Sequence, residues 1–160
     1  MIPQKDFTYT NFGIDVPQSK PILISACLLG EPCRYDGNGK KNSALLDSLK
    51  DHTLIPVCPE VEGGLSTPRP PAEQSGSKVL RENGEDVSAA FNQGASICCS
   101  KAVAADITTA ILKSRSPACG CGEVYDGSFT KTLKAGDGVF TKALKSAGIR
   151  CFSDEDYLSP

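Results

Sequence analysis

The chain has 160 residues, 39% of them hydrophobic and 22% charged, values of an ordinary folded domain long enough to close a core without staples. Its net charge of −2 excludes the strong basic excess of a general nucleic-acid or membrane-surface binder. No apolar run approaches the ~18 residues that a membrane helix requires, so membrane insertion is excluded as well.

Residues 1–20 carry Pro3, Gly13 and Pro17 without clear periodicity and are expected to form an irregular leader. The leader has no apolar signal core, so the eight cysteines are not read as a secreted disulfide framework. A reducing, cytoplasmic protein is the expectation.

A first strand is predicted over Ile22 to Ala26, followed by a turn-rich stretch from Gly30 to Gly39 and a short helix near Ser43 to Lys50. A second strand, Thr53 to Val57, ends at Cys58-Pro59-Glu60, and the proline- and glycine-rich segment to Gln74 reads as a rigid loop. Glu82-Asn83-Gly84 is expected to turn a hairpin between Lys78–Leu80 and Glu85–Val87. Ser88 is the expected N-cap of the longest helix, Ala89 to Ala105, despite Gly94 inside it. A third strand, Ile107 to Lys113, leads into Ser114–Gly122, and a turn follows at Tyr125-Asp126-Gly127. A helix over Gly138 to Ala147, with Gly148 at its end, precedes a fourth strand, Ile149 to Ser153. Strands alternating with helices predict a single α/β domain, with a mostly parallel sheet of about four strands and helices on both faces.

Cys27, Cys58 and Cys119 each sit at or just beyond the end of one of these apolar runs. Open α/β sheets bind ligands beyond the carboxyl ends of their strands, so the three thiols are expected to converge on a metal or cluster site. None has a CxxC partner of the kind that builds a zinc ribbon. Cys98, Cys99 and Cys151 read better as packing residues, while Cys33 and Cys121 lie close enough in sequence to complete a four-thiolate site. Glu60, two residues after Cys58, is the preferred general base, and Ser116, three before Cys119, is placed to bind substrate or pass a proton. Arg34, Tyr35 and Asp36 are candidates for recognising a pyrimidine or its phosphate, with Tyr35 as a stacking face. Asp36-Gly37 and Asp126-Gly127 are equally readable as turns. Arg69 and Glu73 are read as a structural pair beside the proline-rich loop, and His52 as a surface residue.

Five blocks in this order, Ser25-Ala26-Cys27-Leu28-Leu29-Gly30, Arg34-Tyr35-Asp36-Gly37, Pro56-Val57-Cys58-Pro59-Glu60, Pro68-Arg69-Pro70-Pro71-Ala72-Glu73 and Arg115-Ser116-Pro117-Ala118-Cys119-Gly120, resemble the bacterial thiouracil desulfidase family. The resemblance runs from about Ile22 to Ser153 and assigns residues 21–160 to one cluster-binding domain. It implies a [4Fe-4S] cluster held by Cys27, Cys58 and Cys119 alone, with one iron not bound by protein. It further implies non-redox, hydrolytic removal of sulfur from a small-molecule thiopyrimidine, thiouracil or its nucleoside or nucleotide, with nucleic acid disfavoured as the main substrate. The alternatives kept beside it are a three-cysteine zinc hydrolase acting on a pyrimidine and a non-catalytic iron–sulfur or metal-binding module.

Overall fold

The apolar runs become a parallel sheet because each is buried on both faces and bounded by turn residues. A computed structural model describes residues 7–9, 15–17 and 20–158; the rest of the predicted leader and the last residues of the chain lie outside the described residues. Within the leader, β1 (Phe7–Tyr9) pairs antiparallel with β2 (Asp15–Pro17).

The main sheet contains β3 (Ile22–Ser25), β4 (Leu54–Val57), β7 (Thr109–Leu112) and β10 (Arg150–Ser153), in the order β10-β7-β3-β4 and parallel throughout. All residues of the two central strands, β3 and β7, are buried. Pro56 is tolerated because β4 is an edge strand, where a missing N–H removes no ladder bond. Strand alternation splits the core in two. Leu23, Ala110 and Leu112 face one layer with Phe91, Cys98, Phe140 and Leu144, while Ile22, Ile24 and Ile111 face the other with Leu45, Leu49 and Tyr157. The first layer is covered by α3 (Ser88–Ala104) and α4 (Val139–Ser146), the second by α1 (Ser43–Ser48) and α5 (Asp154–Leu158). The predicted α/β domain with helices on both faces is what forms. Among the described residues no helix is long and apolar enough to cross a membrane.

Three local expectations are corrected. Between β4 and Gln74 the chain forms a four-residue helix, α2 (Pro59–Glu62), and then β5 (Ala72–Ser75), which pairs antiparallel with β6 (Lys78–Arg81). The Asn83-Gly84 turn exists, with Gly84 at φ 89°, but it supports only one bridge, Leu80 to Asp86; the hairpin proper turns at Gly76. Ser88 opens α3 without capping it, because its Oγ accepts the Val79 N–H at 2.8 Å and ties the helix to β6 instead. A second small hairpin, β8 (Glu123–Tyr125) with β9 (Leu133–Ala135), was not anticipated.

Gly94 answers the question its presence in α3 raised. A Cβ there would collide with the Pro59 carbonyl oxygen, and one on Gly63 would collide with the Ala90 carbonyl oxygen. The two helices therefore touch backbone to backbone, and this contact seats Cys58 and Glu60. A glycine-to-alanine change in a helix interior normally stabilises by ~0.5–1 kcal/mol. Gly94→Ala is expected to do the reverse and destabilise by about 1–3 kcal/mol, the scale of overpacking, in urea unfolding.

His52 is not a surface residue: it is 8% exposed, and neither ring nitrogen has a hydrogen-bond partner among the described residues. Burial lowers its pKa from the ordinary 6.5, with Asp51 pulling the other way. The unfolded chain therefore protonates His52 at a higher pH than the fold does. Its contribution to stability is complete above about pH 6.5 and is lost as the pH falls from there toward the lowered folded value. His52→Phe should flatten the acid-side decline of Tm that the native chain shows between about pH 7.5 and 5.5.

Candidate active site

β3 delivers its last residue, Ser25, straight into a 3-10 helix, Ala26–Leu29, that carries Cys27. Gly30 closes it at φ 97°, a left-handed conformation suited to glycine, and the Cys27 carbonyl accepts N–H groups from Gly30 at 3.0 Å and Lys40 at 2.8 Å. At the neighbouring strand end Cys58 stands at the N-cap position of α2, with Pro59 in the first turn and Glu60 next. Cys119 follows β7 in a loop held from two sides. Ser116 Oγ accepts the N–H groups of Ala118 at 3.1 Å and Cys119 at 3.0 Å, and the first N–H groups of α4 donate to the Pro117 and Ala118 carbonyls. Gly138 allows that docking, since a Cβ there would meet the Ala118 carbonyl. Buried Gln74 adds bonds to the Pro117 and Asp137 carbonyls at 3.2 and 2.9 Å.

These strand ends enclose a cavity of about 420 Å³ bordered by Cys27, Cys58, Cys119, Glu60, Ser116, Arg34 and Tyr35. The three cysteines predicted to converge do share one space. Cys33 borders it too, its carbonyl accepting the Cys58 thiol at 3.7 Å, whereas Cys121 borders a second depression. Cys98 is fully buried in the core, and Cys99 and Cys151 are half-buried. All eight cysteines are free thiols. The Cys33 hydrogen bond and burial push the Cys58 thiol up, and burial raises Cys119 despite a hydrogen bond with Ser25. The Cys27 thiol raises Cys33 to about 11, against a lowering contribution from Cys58.

Glu60 is largely buried, and its carboxylate accepts Arg69 Nε at 3.1 Å. Burial pushes its carboxyl up, while the guanidinium pulls it down. Arg69, 7% exposed, places three of its four other donors on the Ser66 carbonyl at 3.1 Å, Thr67 Oγ1 at 2.8 Å and the Cys33 carbonyl at 2.8 Å. The expected Arg69–Glu73 pair is thus replaced by Arg69–Glu60; Glu73 instead accepts the N–H groups of Gly127 and Phe129 at 3.0 and 3.1 Å. Arg69 is the residue of the site whose role sequence reasoning missed. Asp36 also differs from expectation. It is not among the cavity's lining residues, because its carboxylate accepts the Asn38 N–H at 3.0 Å within a turn and faces Arg34 at 3.6 Å. Arg34 lies 5.7 Å from the Tyr35 ring centroid, and Tyr35 is 41% exposed. Lys113, Arg115 and Lys131 bring further positive charge to the rim, with Arg115 committed to Glu155 through two bonds of 2.9 and 2.8 Å.

The donor chemistry fits an iron–sulfur cluster: several free thiols around one cavity, at the carboxyl end of a parallel sheet. Among the described residues no three His, Cys, Asp or Glu side chains are gathered on one point as ligands of a single metal ion would be. Comparison with known proteins agrees with the architecture. The chain is 35% identical over 145 residues to the uncharacterized protein YbbK of Bacillus subtilis (strain 168), a match covering 84% of this chain and 96% of that protein. A solved structure of the [4Fe-4S]-dependent thiouracil desulfidase TudS superposes with a TM-score of 0.82 at 45% identity, covering 86% of this chain and 93% of the other. The family model for 2-thiouracil desulfurase matches residues 22–156, so the chain belongs to the 2-thiouracil desulfurase family.

Proposed function

We propose that this enzyme, a thiouracil desulfurase by family, removes sulfur from thiolated uracil by hydrolysis, at a [4Fe-4S] cluster held by Cys27, Cys58 and Cys119. The observation that carries the reading is that these thiols, the Glu60 carboxylate and the Ser116 hydroxyl border one cavity. When bound, a cluster with one iron free of these thiolates supplies a Lewis acid for the substrate sulfur. The chain's own residues do the rest. Glu60 takes a proton from the water that attacks the ring carbon; a C–O bond forms, the C–S bond breaks, and sulfur leaves as sulfide. Carbon keeps its oxidation state, so no redox partner is required. Arg69 fixes the Glu60 carboxylate through Nε, leaving its second oxygen for water. The Ser116 oxygen already accepts two N–H groups, which orients its O–H as a donor for proton return. Arg34 and Tyr35 supply a charged edge and a stacking face for the pyrimidine, and Asp36 acts on substrate only through Arg34.

The substrate is a small thiopyrimidine; the net charge of −2 disfavours nucleic acid as the main one. Cytoplasmic residence follows from the need to keep the thiols reduced. The test is anaerobic purification, iron and sulfide analysis, and an absorbance assay with 2-thiouracil. Brown protein with iron, acid-labile sulfide and turnover supports the reading. A colourless, zinc-loaded active protein would establish the zinc hydrolase instead, and iron without turnover a non-catalytic module.

A further inference from the structure

Two residues of the loop between β8 and β9, Phe129 and Lys131, have left-handed backbone, at φ 59° and 60°. That conformation is uncommon outside glycine, and bulky residues keep it only where surrounding bonds hold them, most often at binding sites. The bonds are present here. Gly127 and Phe129 both donate their N–H groups to one oxygen of Glu73, at 3.0 and 3.1 Å, and the Asp126 N–H closes the loop on the Thr132 carbonyl at 2.9 Å. A chain of oxygens stiffens it further: Ser128 Oγ lies 2.5 Å from Asp126 Oδ1 and 2.6 Å from Thr130 Oγ1, which is 2.7 Å from Thr132 Oγ1. A Cβ on Gly127 would meet the Gln74 carbonyl oxygen, so the loop sits directly on β5.

What these bonds hold in place is an aromatic ring. Phe129 is half-buried, yet among the described residues it belongs to neither core layer; it borders the cavity together with the three strand-end cysteines and Glu60. Neighbouring residues of a strand point to opposite sides, and β5 uses both: Gln74 braces the loop of Cys119, and Glu73 the loop of Phe129. Resting on the desulfuration reading above, we propose that Phe129 binds substrate by packing its ring on the pyrimidine, and that Glu73 is the positioning residue that fixes it there. A flat pyrimidine matches an aromatic face, and a phenylalanine with only two side-chain torsions on a pinned backbone has little freedom left to lose on binding. Stacking reads the ring and not the sulfur, so the contact is equally strong before and during C–S cleavage. It therefore acts on KM and leaves kcat alone.

Steady-state kinetics of the iron-loaded enzyme with 2-thiouracil separate this from a merely structural role. Phe129→Ala is expected to raise KM about tenfold, the scale on which an aromatic stack holds a base, with kcat within about twofold and iron content unchanged. Glu73→Ala should raise KM to a similar extent, and the double variant no further than Phe129→Ala alone, because the carboxylate acts through the ring. Glu73→Gln keeps an oxygen for both N–H groups and should restore a near-native KM. Glu73→Asp, its carboxylate one methylene short of the loop, should show the same rise as Glu73→Ala and is read in its place if the alanine variant does not fold. A native KM in Phe129→Ala, or Glu73 variants that lose iron or kcat at unchanged KM, overturns the proposal while turnover by the native enzyme leaves desulfuration standing. Native protein that does not desulfurate 2-thiouracil overturns both.

Discussion

Replacing Cys27, Cys58 or Cys119 singly by serine is expected to abolish retention of a [4Fe-4S] cluster, whereas Cys98→Ala and Cys151→Ser keep it. The first three thiols border one cavity at the ends of three neighbouring strands; Cys98 is sealed among core side chains and Cys151 lies on an edge strand away from that cavity. Serine is a poor substitute because a hydroxyl is a far weaker acid than a thiol and a harder ligand than iron prefers here. Iron and sulfide content after anaerobic reconstitution measures the effect. Full occupancy in all three serine variants would remove the ligand assignment.

The second large effect is expected at Glu60. Glu60→Gln preserves shape and still offers an oxygen to Arg69 Nε, so the brown chromophore and the fold should survive. What it loses is proton acceptance, and turnover of 2-thiouracil should fall by ~10²-fold or more, the usual scale of general acid–base assistance. Near-normal turnover in a fully loaded variant would reject the role, and loss of the cluster would make Glu60 a structural residue instead.

The main sheet was legible because β3, β4, β7 and β10 are short apolar runs flanked by turn residues, the pattern that burial on a parallel sheet imposes. The polar elements were not. β5 carries Glu73 and Gln74, whose side chains bond to loops rather than to a core face, so no apolar alternation marks it. α2 and α5, four and five residues long, are too short for helical periodicity to register. Convergence of Cys27, Cys58 and Cys119 could be read because strand ends of a parallel sheet lie together whatever the loops do. The Arg69–Glu60 pair could not, since it depends on the path of the proline-rich segment between them, and neither could the direction of Cys33, which is set by the turn-rich stretch after Gly30. His52 was misjudged for a related reason: one polar residue before a strand carries no sign of what packs over it.

If sulfur leaves by hydrolysis at this cavity, water supplies the new oxygen of the product. Anaerobically reconstituted protein is given 2-thiouracil in water labelled with heavy oxygen, and the uracil formed is analysed by mass spectrometry alongside released sulfide. One heavy oxygen per uracil is expected, with one sulfide released for each and no consumption of an electron donor. Uracil without the label, or turnover that requires an added reductant, would contradict hydrolysis.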